Sequence, residues 1–342
     1  MVCPKDNHLL SSKLAAPFSI GSVSIRNRVI LAPMSGVTDL PFRQLALRYG
    51  AGLVVTEMVA SRELVQDTAE SWARLRSAGL KPHMVQLAGR EAHWMAEAAK
   101  IATDNGADII DINMGCPAKK VIGGYSGSAL MRDPDHALTL IEATVRAVNI
   151  PVTLKMRLGW DKNSINAPYI ARRAEEAGIQ LVTIHGRTRM QFYEGRADWD
   201  AIRAVRDVVS IPLVANGDVE TAEDAKEILR RSGADAVMIG RGCQGRPWHA
   251  GVLAGHREPS RQEIVEIALE HYRMMLEFYG ETVGIRHARK HLSWYLDRYA
   301  SATAGTDKAK IMTSKDSGEV AASFRAALQA GADLAQCVQE AA

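Results

Sequence analysis

Cys116 stands between Gly115 and Pro117 in the run Asn113-Met114-Gly115-Cys116-Pro117, just beyond a β-branched apolar stretch. A cysteine thiol with an ordinary pKa of about 8.5 is mostly protonated at neutral pH and can act as a general acid. Reduction of a polarised C=C needs a hydride on one carbon and a proton on the other, and a thiol in such a loop can deliver the second. The alternative is a small buried residue without reactivity, the usual fate of a free cysteine. Cys3, Cys243 and Cys337 are read as structural, and no CxxC or CxxH spacing suggests a metal site.

Other apolar runs also end in polar residues: Pro33-Met34-Ser35-Gly36, Glu57, Gln86, Lys155 with Arg157, His185, Asn216-Gly217-Asp218 and Gly240-Arg241. Such groups are costly in a core unless they meet a ligand or each other. The glycines after the last two runs turn the chain and can also expose backbone N–H groups to an anion. Together with Lys155 and His185 they favour a phosphorylated cofactor such as FMN. Lys155 needs an anionic or electron-rich partner. The N1 edge of a flavin would serve, and so would Asp111 or Glu57 inside the fold.

The elements that must carry these residues form eight βα repeats. Short apolar runs begin at Val29, Leu53, Met84, Asp108, Val152, Leu181, Pro212 and Ala236, separated by amphipathic segments such as Trp94-Ala98-Ile101 and Ala225-Ile228-Leu229. That count predicts an α/β fold of the TIM (β/α)8 barrel type, with reactive groups at the C-terminal strand ends. No GxGxxG follows the first run, which argues against a Rossmann sheet. Alternation around Gly21 in Phe18–Val23 predicts a hairpin that plugs the barrel floor. After Arg246-Pro247 the strand pattern stops, and Ser260 to Tyr299 reads as two helices broken near Gly280. The expected division is a barrel over residues 1–250 and a smaller helical domain over 251–342. Arg286, Arg289 and Lys290 share one helix face, either as a solvated surface or as a contact for RNA phosphates. A net charge of +3 in 342 residues means that any nucleic-acid surface is a local patch. The absence of an apolar leader or long apolar run predicts a cytoplasmic protein with no membrane contact, and no obligate protein partner is evident.

The motifs resemble those of tRNA-dihydrouridine synthases from Phe18 to the C-terminal helices. Ala32-Pro33-Met34-Ser35-Gly36-Val37-Thr38-Asp39, with Pro41-Phe42-Arg43, is similar to the family's opening motif, and Asn113–Pro117 to its catalytic loop. His185-Gly186-Arg187-Thr188 and Asn216-Gly217-Asp218 resemble its later flavin-site motifs. Ala118-Lys119-Lys120-Val121 and Arg189-Met190-Gln191-Phe192-Tyr193 look most like the bacterial B subfamily. The resemblance implies FMN in the barrel, NADPH or NADH as reductant, and a helical domain that binds tRNA, through Arg286, Arg289 and Lys290 here. It implies that Pro33, Met34, Ser35, Gln86, Lys155, His185, Asn216, Gly217, Asp218, Gly240 and Arg241 hold FMN. Cys116 would protonate C5 of a D-loop uridine, at position 17 by the subfamily likeness, after hydride reaches C6. Asn113 and Arg187 would contact the substrate, and Arg157 the flavin phosphate or the substrate. The stretch from Arg187 to Arg196, with Phe192 and Tyr193, suits a rim that grips backbone and stacks bases, or equally a solvated loop with two packing aromatics. One departure is Ile122-Gly123-Gly124-Tyr125-Ser126-Gly127, which is richer in glycine than the subfamily's polar loop. Competing readings are an FMN barrel reductase of a small molecule of the dihydroorotate or dihydropyrimidine type, and a non-catalytic RNA-binding protein on a barrel scaffold.

Overall fold

The computed structural model describes residues 13–340. An antiparallel hairpin, β1 (Phe18–Ile20) and β2 (Val23–Ile25), comes first. Nine parallel segments follow: β3 (Val29–Leu31), β4 (Leu53–Val54), β5 (Val59–Ala60), β6 (Met84–Ala88), β7 (Ile109–Met114), β8 (Val152–Arg157), β9 (Val182–His185), β10 (Leu213–Asn216) and β11 (Ala236–Ile239). Their order is β4-β3-β11-β10-β9-β8-β7-β6-β5. The two ends are halves of one interrupted run, since β4 pairs with β3, β5 with β6, and Val55 bridges to Met84. The ring therefore closes as the predicted eight-stranded TIM barrel. The break in the second strand falls at Thr56-Glu57-Met58, where the Glu57 carboxylate accepts a bond from Gly36 N.

Every residue of β7 and β10 is buried, as parallel strands covered on both faces require. Ile20 and Ile25 of the hairpin pack with Ile30, Leu53, Met84, Ile109, Val214 and Ala236 at the strands' N-terminal ends. They close the barrel floor as the alternation predicts. The helix Ala222–Ser232 buries Ala225, Ile228 and Leu229, starts at a Thr221/Asp224 capping box and stops at Gly233 in the left-handed region. In the helix Ala92–Asp104 the buried stripe is Met95, Ala98, Ala99 and Ala102, one residue round from the predicted Trp94-Ala98-Ile101. Alanines let that helix approach the sheet closely and leave bulky Trp94 at its flank.

Beyond the barrel, helices Arg261–Tyr279 and Glu281–Tyr299 meet at Gly280 as predicted, followed by helices Gly305–Thr313 and Ser317–Glu340. Ile267, Met275, Leu292, Tyr295 and Phe324 form their own apolar cluster with Trp248. Phe42 of the barrel helix Leu40–Arg48 lies 5.6 Å from the His271 ring and 5.7 Å from the His291 ring. Tyr279 donates its hydroxyl hydrogen to Asp39 at 3.0 Å. Truncation after Ser260 would thus bare a packed face of the barrel instead of freeing it cleanly. Cys243 is fully buried, and burial pushes its thiol up to about 12, consistent with a structural role. Cys3 and the side chain of Cys337 lie outside the described residues. No helix among the described residues is long and apolar enough to cross a membrane.

Five buried histidines are held neutral, chiefly by burial: His271 at about 3, His83 and His249 at about 4, His185 and His291 well below the usual value. Their folded values lie below the unfolded one, so the stability linked to them is complete above about pH 6.5 and is lost as pH falls. At pH 5 His83, His249 and His271 each cost on the order of 2 kcal/mol relative to pH 7, and His185 and His291 add in the same direction. Asp39, raised to about 6 mainly by burial, protonates over this window and recovers a smaller part. Denaturant unfolding at the two pH values is expected to show a net loss of several kcal/mol; an unchanged midpoint would contradict it.

Candidate active site

A cavity of ≈ 540 Å³ opens at the C-terminal ends of the strands. Pro33, Met34, Ser35, Gln86, Lys155, His185, Asn216, Gly217, Asp218, Gly240 and Arg241 all line it, together with Asn113, Cys116 and Arg157. Parallel register brings these groups together: Gln86 pairs with Asp111, Asp111 with Thr153, Asn113 with Lys155, and Arg157 with His185.

The backbone of Cys116 is fixed on both sides. Its N–H and that of Gly115 donate to Asn113 Oδ1 at 3.0 and 3.1 Å. Its carbonyl accepts from Ser128 N at 3.1 Å and Ser128 Oγ at 2.9 Å. The preceding Gly127 has φ +61, and a Cβ there would lie 2.8 Å from the Cys116 carbonyl oxygen. The glycine-rich departure at 122–127 thus includes the residue that lets this turn close on the thiol loop. Arg157, 1% exposed, donates to the carbonyls of Gly115 (2.9 Å), Thr188 (2.8 Å) and Phe192 (2.8 Å), joining the thiol loop to the loop after β9.

Cations line the same cavity. Lys155 pairs with neither Asp111 nor Glu57 but donates to Asn216 Oδ1 at 3.3 Å, while Asn216 Nδ2 is anchored on Met238 O at 2.8 Å. Burial, then the charge of Arg157, pull the Lys155 amine down to about 8. The His185 pKa falls well below its usual value through burial and then through Arg157, Lys155, Arg187 and Arg241. His185 Nε2 lies 3.3 Å from Arg187 Nη1. A guanidinium can only donate, so Nε2 accepts and the ring proton sits on Nδ1. Gly217 has φ +128, and a Cβ there would meet Ala197 Cβ at 2.6 Å and the His185 ring at 3.1 Å, so only glycine fits that approach. Burial raises the Asp218 carboxyl, yet bonds from Arg187 and Ala197 N, with the charges of Arg187 and Arg241, hold it below the ordinary range.

Arg187 is not among the residues lining this cavity; its 1% exposed guanidinium bonds the carbonyls of Glu194 (3.1 Å) and Gly195 (2.6 Å) and the Asp218 carboxylate (2.6 Å). It props the loop after β9. Arg286, Arg289 and Lys290 do not act as one free face: Arg286 is exposed, Arg289 donates to the carbonyls of Thr313 and Ser314 at 3.4 Å, and the Lys290 amine lies over Gly36. On the rim, Arg189 lies over Trp160 at 4.9 Å and Phe192 at 4.6 Å, and Tyr193 lies over against Arg157 (5.5 Å) and Arg241 (5.4 Å). Asp111, Thr153 and Ser128 escaped the sequence reading as site residues. For Asp111 the two-residue spacing to Asn113 on one strand was the available signal; for Ser128, a tertiary contact, there was none.

A closed (β/α)8 barrel whose mouth gathers cations and a thiol held in a braced loop has the form of a barrel enzyme. Residues 30–332 match the family model described as dihydrouridine synthase. A relative from Rhizobium leguminosarum bv. phaseoli, named probable tRNA-dihydrouridine synthase, is 83% identical over 310 residues, covering 91% of this chain and 98% of that one. The tRNA-dihydrouridine synthase B of Vibrio cholerae is 48% identical, covering 83% of this chain and 91% of its own. Histamine dehydrogenase from Rhizobium sp. 4-9 shares the fold at 14% identity and a TM-score of 0.54, over 94% of this chain and 65% of that one. The chain belongs to the dihydrouridine synthase family, and its activity is that of a tRNA-dihydrouridine synthase.

Proposed function

We propose that the cavity holds FMN, that NADPH is the reductant, and that Cys116 protonates C5 of the uridine at position 17 of the tRNA D-loop. The observation that carries this reading is the meeting of Lys155, Arg157 and Arg241 with a neutral His185 in the cavity that Cys116 also lines. That donor set fits a phosphorylated, electron-rich ring system. Bound there, FMN supplies the hydride that reaches C6.

Lys155, steadied by Asn216, meets the electron-rich edge of the ring; Gly217, Gly240 and Arg241 face the phosphate; Pro33, Met34, Ser35 and Gln86 complete the wall. The Asp218 carboxylate acts through Arg241, which it holds at 2.9 Å. Asn113 has one amide hydrogen left after its bond to Gln86, and that hydrogen orients the uracil. Arg187 serves the substrate at one remove, by shaping the loop that carries Tyr193. Residues 1–250 form the cofactor-binding barrel and 251–342 the tRNA-binding domain, where exposed Arg286 contacts phosphate. Extruding a loop uridine from its stack costs a few kcal/mol, which such contacts offset. The reaction takes place in the cytoplasm with its tRNA.

The purified protein is expected to carry flavin absorbance, identified as FMN by mass, to bleach with NADPH without oxygen, and to recover colour when unmodified tRNA is added. Recovery with a small dihydroorotate-type acceptor and not with tRNA would favour the small-molecule reductase, and colourless protein would favour the non-catalytic reading.

A further inference from the structure

Behind the cavity runs a chain of buried hydrogen bonds whose direction is chemically fixed at both ends. Thr153 Oγ1 donates to Asp111 Oδ1 at 2.6 Å; Gln86 Nε2 donates to Asp111 Oδ2 at 2.7 Å; Asn113 Nδ2 donates to Gln86 Oε1 at 2.7 Å; and Asn113 Oδ1 accepts from the backbone N–H of Gly115 and Cys116. Asp111 is 1% exposed, Gln86 1% and Asn113 7%.

A primary amide can be turned end for end, exchanging its donor and acceptor. Here neither can turn. Burial raises the Asp111 carboxyl pKa, and the bonds from Gln86 and Thr153 with the charge of Lys155 oppose that rise; each of its oxygens accepts here, so Gln86 presents its NH2 there and its oxygen to Asn113. The two backbone N–H groups at the other end only donate, so Asn113 must present its oxygen to them. We infer that Asp111 is a positioning residue: by fixing the polarity of Gln86 and then of Asn113, it holds the Gly115–Cys116 peptide in place and sets where the thiol points. Without an acceptor at Asp111, the Gln86 NH2 is a buried donor with no partner, and turning that amide would only set its NH2 against that of Asn113; Gln86 must move to find another acceptor, and draws Asn113 and the two loop N–H groups with it. Unpaired buried donors are expensive, so the loop would shift with them.

The inference rests on the proton-donor reading of Cys116, and the test separates the two. Asp111→Leu removes the acceptor at similar volume. Asp111→Asn keeps one, because the amide oxygen at that position can face Gln86 while its NH2 faces Thr153, whose hydroxyl can turn to Ile110 O, 3.4 Å away. The measurements are flavin content, the rate of flavin reduction by NADPH, the rate of reoxidation of reduced enzyme by unmodified tRNA, and the rate at which iodoacetamide alkylates Cys116, read by peptide mass. Asp111→Leu is expected to keep flavin and its reduction, to slow reoxidation at least about tenfold, since misplacement by an ångström can cost two orders of magnitude, and to alkylate several-fold faster as the loop loosens. Asp111→Asn is expected to stay within about threefold of wild type in all four.

Wild-type reoxidation and alkylation rates in Asp111→Leu overturn the inference while leaving the function of Cys116 intact. Equal loss in the two variants also overturns it, because charge and not acceptor direction would then matter. If Asp111→Leu does not fold, Asp111→Asn decides alone: retention supports the inference and a tenfold loss of reoxidation overturns it. Failure of the wild-type enzyme to reoxidise with tRNA would instead count against the proposed function.

Discussion

Cys116→Ala is expected to slow dihydrouridine formation by about 10²–10⁴-fold, the usual contribution of a positioned general acid. The loss should fall on one half-reaction. Alanine removes the proton that C5 must receive, whereas the groups proposed to meet the cofactor, Lys155, Asn216 and Arg241, lie on other strands and loops. Bound flavin and its reduction by NADPH should therefore stay near wild type, and tRNA-driven reoxidation should collapse. The loop itself should survive, because its anchors act on backbone atoms at Asn113, Ser128 and Arg157 and none needs the sulfur. If reoxidation proceeds at the wild-type rate, the proton comes from elsewhere.

Lys155→Met is expected to raise the stability of the cofactor-free protein while weakening flavin binding by about 10–150-fold, the equivalent of one hydrogen bond to a charged group at 1.5–3 kcal/mol. An ammonium in this wall has Asn216 for its bonding partner and Arg157 as a repelling neighbour. Its pKa, lowered to about 8 from 10.5, means that the unfolded chain binds more protons than the folded one between those values. Stability linked to Lys155 therefore rises with pH across that window, and below about pH 8 the charge is a cost on the order of 1–3 kcal/mol, reduced by the amine's opening onto the cavity. Methionine of similar length removes the cost and the pH slope together. Unfolding of stripped protein at pH 7 and pH 10, with flavin titration, reads both effects. A less stable apo-variant, or one that binds flavin as tightly as wild type, would count against Lys155 as an unpaired cation awaiting an anionic ligand.

The barrel was legible because its strands are largely buried and so read as continuous apolar runs, and the polar residues that end those runs, Glu57 excepted, line the mouth. The second strand was less so: one run, Leu53 to Met58 and beyond, pairs with different neighbours in its two halves, which local sequence does not encode. The lining of the cavity follows from strand position alone, and residues from Pro33 round to Arg241 meet there. Arg187 and Arg289 spend donors inside the fold for a common reason. A guanidinium has five donors and can satisfy carbonyls many residues away as readily as a ligand, and spacing along a helix or loop cannot tell the two apart. Ser128 and Gly127 were hidden because their contact with Cys116 exists only after the loop folds back.

The central claim is most directly tested by mapping dihydrouridine in tRNA from cells lacking this protein and from the same cells carrying the wild-type or Cys116→Ala copy. Loss of the modification at position 17, its return with wild type and its continued absence with Cys116→Ala are the predicted results. Full modification without the protein, or full restoration at a normal rate by the alanine copy, would contradict the account.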